Sequence, residues 1–300
     1  MAMNRALFAK QLEPGLNTLF GLEHARYPEQ WKEIFDVNSS SKAFEEDNLL
    51  EGFGAASVKA EGSAIAYDTA AELWTARYNH ETIALAFSIT EEAEEDGQYG
   101  SIGQRYVKAL ARSMVHTKEI KAANILNNMF DSGTGGDGSY LGVTDHPTAS
   151  GTQSNILATA ADLSETSLEQ MLIDISNMDD DRGIPIAAMG TKLVVPTALA
   201  FVAERLTKSN LRTGTGDNDI NASRSAGYLP QGYTVNNRLT DTDAFFILTD
   251  VPDGLKMFQR RALTRGMEGD FETGNIRYKT SERYSFGWTD WRGIFGTPGA

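Results

Sequence analysis

From Gln104 to Phe130 the chain runs without a glycine or a proline, and apolar residues recur at Tyr106, Val107, Leu110, Met114, Ile120, Ala123, Leu126 and Met129. That spacing keeps one face of a helix apolar. A helix over the whole stretch is a rod of roughly 40 Å, and the other elements have to be laid around it. Just before it stands "EEAEED", Glu91 to Asp96, a solvated face whose charge favours the helix N-terminus. The glycine-rich "SGTGGDGSYLG" ends the rod.

On the N-terminal side the signals are mostly extended. In "ETIALAFSI", Ile83, Leu85, Phe87 and Ile89 alternate with small residues, the pattern of a half-buried strand. Before it, the sequence from Glu45 to Tyr78 has glycine, alanine and β-formers but little helical period, and reads as a two-stranded excursion with its tip near Ser57 to Ser63. Residues up to about Phe44 offer two short helical patches, Ala6 to Leu12 and Gln30 to Phe35, separated by the breakers "EPG" and "YP". Neither patch could bury a core alone, so this segment reads as an arm.

After the rod, a helix is expected from Ser164 to Ser167 onward, with Thr166 and Glu169 as a capping box and Leu168, Met171, Leu172 and Ile175 as its inner stripe. "IPIAAMGTKLVV" reads as a buried strand, and Pro196 opens a helix over "TALAFVAERLTKS". A polar loop, "NLRTGTGDNDINASRS", leads to strand-rich sequence including "AFFILTDV". The chain closes on "YSFGWTDWRGIFG", where Tyr284, Phe286 and Trp288 share one strand face. An end so rich in aromatics reads as a tail locked into a core or an interface. Strands and helices mix without a βαβ repeat, so the class is α+β.

Local chemistry is sparse. Cysteine is absent, which removes disulfides and thiolate metal sites and makes a reducing cytoplasm sufficient. A net charge of −14 argues against a surface that grips phosphates. The first residues hold no signal-peptide core, and no later stretch could span a bilayer. "GTGGDGS" lacks the lysine and the following helix of a phosphate loop. In "DNDINA", Asp217, Asp219 and Asn221 mimic a calcium loop, but Ala222 and Tyr228 occupy the places of its glycine and its closing glutamate. His24, His80, His116 and His146 form no ligand pair, and "MDDDRG", Met178 to Gly183, reads as a helix end in solvent. No metal, cofactor or catalytic residue is expected.

The order of these parts resembles the major capsid protein of tailed bacteriophages, the Hong Kong 97-type fold also found in encapsulins. The resemblance rests on "KAFEEDNLLEGFG", "KAEGSAIAYDTA", "ITEEAEEDGQYG", "SGTGGDGSYLG", "TKLVVPTALAFVAERL" and "SFGWTDWRGIFG", which together span Lys42 to Gly296. It implies an N-terminal arm (1–44), an extended hairpin loop (45–80), a peripheral domain (81–162) with a spine helix at about 101–130, an axial domain (163–262) and a return to the peripheral domain (263–300). The hairpin would overlap a neighbouring subunit. Phe286, Trp288 and Trp291 would cover the spine and close the core.

The function implied is structural and non-enzymatic. The chain would self-assemble into hexamers and pentamers of an icosahedral shell around double-stranded DNA, in the virion, after assembly in the host bacterial cytoplasm. Its partners would be itself, a portal and a separate scaffolding protein, since the arm starts almost at Met1; DNA would be enclosed without sequence-specific binding, and no membrane is involved. Candidate assembly residues are Glu45, Glu46 and Asp47 at the hairpin base, Val58, Lys59 and Glu61 at its tip, and Arg260 and Arg261, whose charge could meet the acidic base across subunits. Some relatives crosslink subunits through a lysine–asparagine bond. Lys59 is the one lysine at the tip, but nothing marks an asparagine partner, and it reads as a solvated charge. The alternatives are an encapsulin-like shell around a protein cargo and an α+β enzyme with a dispersed site.

Overall fold

The computed structural model describes residues 5–90, 99–212, 219–270 and 274–300, with the side chains of 5–12 and 99–102 left out. The rod is helix α2, Tyr99–Asn127. The acidic run Glu91 to Asp96, and residues 213–218 of the polar loop, lie outside the described residues.

Two clusters share the apolar face of α2. Toward its N-terminus Val107, Leu110 and Ala111 pack with Leu16, Phe20 and Tyr278. Toward its C-terminus Ala122 and Leu126, with Met129 just past its end, join the main core. The first cluster corrects the reading of the N-terminal segment. "EPG" does not break the helix: α1 runs over Arg5–Arg26 with Pro14 inside it. Proline there forfeits one backbone bond, but Leu16 and Phe20 beyond it are buried against α2, and that packing outweighs the local penalty. A short turn at Gln30–Glu33 then buries Trp31.

Strands β1 (Asp36–Ser39), β4 (Glu81–Ile89), β10 (Leu255–Gly269) and β11 (Ile276–Trp288) form one sheet in the order β1-β10-β11-β4. Strands β7 (Gly190–Pro196), β8 (Tyr233–Asn236), β9 (Phe245–Thr249) and β12 (Ile294–Thr297) form another in the order β12-β9-β7-β8. Of the stretch expected as one strand from Ile184, only the part from Gly190 joins a sheet. Two two-stranded pairs complete the set: β2 (Phe44–Leu50) with β3 (Glu72–Asn79), and β5 (His146–Thr148) with β6 (Gly151–Gln153).

Helix α3, Glu165–Ser176, buries the expected Leu168, Met171, Leu172 and Ile175. Its capping box is formed by Ser164 and Ser167, not by Thr166 and Glu169. Ser164 sits in extended backbone, so its oxygen can accept from the Ser167 amide at 3.2 Å, while Ser167 Oγ accepts from the Ser164 amide at 2.9 Å. Pro196 is followed by a tight turn at Thr197–Leu199 and helix α4, Ala200–Lys208.

The chain end is part of the core. Trp291 is fully buried, Trp288 nearly so, and Phe286 is partly buried against the same cluster. Their contacts differ from a simple cover over the rod. Lys118 of α2 lies over the rings of Trp31 and Tyr284, at 4.8 and 4.9 Å, whereas Phe286 meets Trp31 and Phe35 edge-on. Trp288 rests on the glycine loop: a Cβ on Gly135 would come within 1.8 Å of its ring, and one on Gly136 within 2.6 Å of Trp74. Those glycines leave room for tryptophan, which accounts for a glycine-rich loop that holds no phosphate signature.

Trp291 caps a buried polar knot. The His146 ring stacks on it at 4.2 Å and 1°. Asn155 Nδ2 donates to the carbonyls of Leu141, Trp291 and Ile294. Its Oδ1 accepts from the Val143 amide and lies 3.2 Å from His146 Nε2. His146 Nδ1 pairs with Asp137 Oδ2 at 2.7 Å. Arg292 reaches Asp181 at 3.0 Å and Asp290 at 3.4 Å. The segment "MDDDRG", read as solvated, therefore supplies a buried ion pair through Asp181. The acidic composition hid it, because the partner is more than a hundred positions away.

Candidate assembly surface

The excursion from the hairpin base is where the subunit offers most and holds least. The β2–β3 ladder ends with Leu50 opposite Glu72, and the Glu51 amide donates to the Ala71 carbonyl at 2.8 Å. Beyond that the legs run without a ladder to a turn at Glu61 and Gly62. Every residue from 55 to 71 is exposed, including Val58, Lys59 and Glu61. The apolar ones are extreme: Val58 is 99% exposed, Tyr67 96% and Ile65 67%. These side chains are left uncovered by the described residues of their own subunit, and an isolated two-stranded excursion is marginal without something to lie on.

The root is tied to its own chain. Glu45 takes hydrogen bonds from Ser40 Oγ at 2.7 Å and Lys42 Nζ at 2.9 Å. Those two bonds, in that order, hold its carboxyl below the usual glutamate range. Glu46 faces Arg77 at 3.9 Å, and Asp47 meets Lys256 at 2.6 Å. The acidic base thus has cations within the subunit: Lys42 and Arg77 from the root itself and Lys256 from β10 beside it. On the same side Arg182 reaches Glu51 and Asp68 at 2.9 and 3.3 Å.

The expected basic partners are placed differently. Arg260 Nε donates to the Lys42 carbonyl at 2.9 Å, and Arg261 Nη2 to Ser281 Oγ at 3.0 Å. Among the described residues neither meets a carboxylate. Arg261 stands directly opposite Arg283 in the β10–β11 register, an arrangement of like charges that is unfavourable within a sheet. Among the described residues Arg283 donates only to the carbonyls of His80 and Ala43. Burial lowers the pKa of His80, and the charges of Arg283 and Arg260 push the same way. The charge of Glu45 opposes them there, so what sets this region apart is three arginines, Arg260, Arg261 and Arg283, with no ion pair among the described residues.

No described helix is long and apolar enough to cross a membrane, and no three described acidic or histidine side chains gather as metal ligands would. A surface groove of about 370 Å³ between α3 and the short helix α5, Ala222–Ser225, has Glu169 as its only charged lining residue among the described residues.

Residues 74–296 match the family described as phage capsid protein, and the chain belongs to that family. No curated protein matches it in sequence. Among solved structures it resembles the virus-like particle from Pyrococcus furiosus, at 11% identity and a TM-score of 0.57 over 95% of this chain and 98% of that one. The capsid of an empty GTA particle is similar at 14% identity and a TM-score of 0.53, covering 90% and 89%. The procapsid of bacteriophage JBD30 is similar at 16% identity and a TM-score of 0.51, covering 98% and 76%. The α+β, Hong Kong 97-type fold expected from the sequence is the fold of this chain. Membership of that family makes it a structural protein of phage capsids.

Proposed function

We propose that this chain is the major subunit of an icosahedral phage head, built from hexamers and pentamers and enclosing double-stranded DNA. The observation that carries the reading is the tip at residues 55–67: it exposes Val58, Ile65 and Tyr67 and, among the described residues, is supported by nothing beyond the root. A contact of that kind, repeated around a ring, gives a head-to-tail interface that closes. Arg260, Arg261 and Arg283, lacking carboxylates of their own, are then suited to an acidic surface of a neighbour. The net charge of −14 would repel packaged DNA and leave it mobile. Assembly would take place in the host bacterial cytoplasm with a portal and a separate scaffolding protein.

An encapsulin-like shell around a protein cargo is the second reading, favoured by the match to the Pyrococcus furiosus particle over nearly the whole of both chains. Electron microscopy of the purified chain, followed by nuclease treatment and analysis of the particle contents, separates the two. Nuclease-protected double-stranded DNA in native particles supports the phage head. A single co-purifying protein inside nucleic-acid-free shells supports the compartment. A stable monomer that forms no shells overturns both.

A further inference from the structure

We propose that Arg182 is a latch that fixes the direction in which the hairpin leaves the subunit, dividing it into a root that moves with the subunit and a free tip. The importance of that direction rests on the assembly reading above; the latch itself does not. Past Glu51 and Ala71 the two legs have no backbone bond between them, and the one cross-leg bond is the Gly54 amide to Asp68 Oδ2 at 2.7 Å. The Arg182 guanidinium fills the gap. Its Nε lies 2.9 Å from Glu51 Oε1 on the outgoing leg. On the returning leg Nη1 lies 3.3 Å from Asp68 Oδ1, and Nη2 donates to the Thr69 carbonyl at 2.7 Å. One planar fork thus hydrogen-bonds Asp68 and Thr69 on the returning leg and holds Glu51 on the outgoing leg by charge alone, a spread of contacts that a lysine ammonium cannot copy. The side chain is 24% exposed and that of Glu51 12%, so solvent screens the pair only in part. The amides of Gly54 and Thr69, more than the guanidinium, keep Asp68 ionised by lowering its pKa.

The latch is anchored at its other end. The Arg182 and Ile184 amides both donate to Asp180 Oδ1 at 2.8 Å, which shapes the turn, and Gly183 takes the positive φ of 79° that the turn needs. The preceding Asp181 is ion-paired to buried Arg292. The root is therefore linked through one turn to the buried chain end. Beyond Gly54 and Asp68 the tip has only the local bonds from Ser63 to Ala60. A leg of seven residues reaches about 23 Å. A 10° swing at the root would displace the tip by about 4 Å by the same geometry, enough to lose van der Waals contact with a neighbour.

The test is hydrogen exchange on the unassembled full chain, together with the particle-size distribution after assembly. Arg182→Ala should accelerate exchange at least tenfold in peptides covering 51–54 and 68–71 while leaving α3 and β7 unchanged. Arg182→Lys should recover less than half of that protection. Glu51→Gln with Asp68→Asn, which keeps Arg182, should reproduce the local acceleration. Shells of the Arg182→Ala variant should be of mixed size or unclosed. Unchanged exchange in both legs overturns the latch, and so does equal acceleration across the whole chain, which would make Arg182 a general stability residue. Normal, uniform shells despite loosened legs overturn its role in setting direction. If the parent chain forms no shells, the assembly reading fails while the exchange experiment still decides the latch.

Discussion

The hairpin tip and the chain end are both rich in apolar side chains, and they meet opposite fates. At the tip Val58 and Tyr67 stand almost fully in water. At the end Trp291 and Phe295 are buried, and even the polar groups around them are largely paired. The end thus completes its own subunit, whereas the tip has apolar surface that only another molecule can cover. On the assembly reading proposed above, folding and assembly are assigned to different segments of one chain.

That contrast breaks first if the end is not a core element. Trp291→Ala should lower the stability of an unassembled subunit by about 3–5 kcal/mol, the range for emptying a buried aromatic site, with Trp288→Ala at the lower end because Trp288 keeps slight exposure. Chemical denaturation measures this, and parent-like midpoints for both variants would detach the tail from the core. Next in size is Gly135→Ala, which drives a methyl into the Trp288 ring and should cost about 1–3 kcal/mol as overpacking. A neutral result in the same experiment would mean that the loop can yield.

A smaller effect concerns Glu119 on α2, whose carboxylate is buried with no hydrogen bond to either oxygen among the described residues. Burial raises its pKa to about 7, against the pull of the nearby Gln30 and Trp31 amides. The folded subunit therefore holds this proton more tightly than the unfolded chain does. The resulting stabilisation is complete below about pH 4.5 and is lost as pH rises through about 7. Glu119→Gln should accordingly gain about 2 kcal/mol over the parent at pH 8 relative to pH 5, the free energy that a shift of this size carries across that window. Equal differences at the two pH values in denaturant titrations would show that the carboxylate has a partner.

The smallest effect on the subunit sharpens the comparison most. Replacing residues 55–66 with a short Gly-Ser turn should change subunit stability by less than about 0.5 kcal/mol, as for exposed positions generally, yet abolish closed particles. Thermal melting and electron microscopy together read the two outcomes. Loss of folding would place the tip in the subunit's own core, and normal shells would remove it from assembly.

The elements most legible in the sequence were those with a strong local period. The long helix and the inner stripe Leu168, Met171, Leu172 and Ile175 follow from spacing alone. Helix α1 was not legible through Pro14, because a local propensity cannot report a distant surface able to compensate for it. The candidate site shows the same division. Exposure at Val58 and Lys59 follows from a tip without a hydrophobic period. The acidic base, by contrast, proved to be matched by Lys42, Arg77 and Lys256, and Arg182 lay unnoticed inside "MDDDRG". Ion pairs between residues far apart in sequence leave no periodic trace.

By itself the sequence determined that a long amphipathic helix must be covered, that an excursion from Glu45 to Tyr78 leaves the body, and that an aromatic end must be packed or shared. Helical and strand periods are set by backbone geometry, so spacing reveals them directly. Only the tertiary structure decided which groups meet: Trp288 on Gly135, Trp291 on His146, Asp181 with Arg292, and Arg182 across both legs of the hairpin. Those contacts depend on where chain segments more than a hundred residues apart are brought in three dimensions. Packing and charge pairing act over a few ångströms of space and are indifferent to separation along the chain.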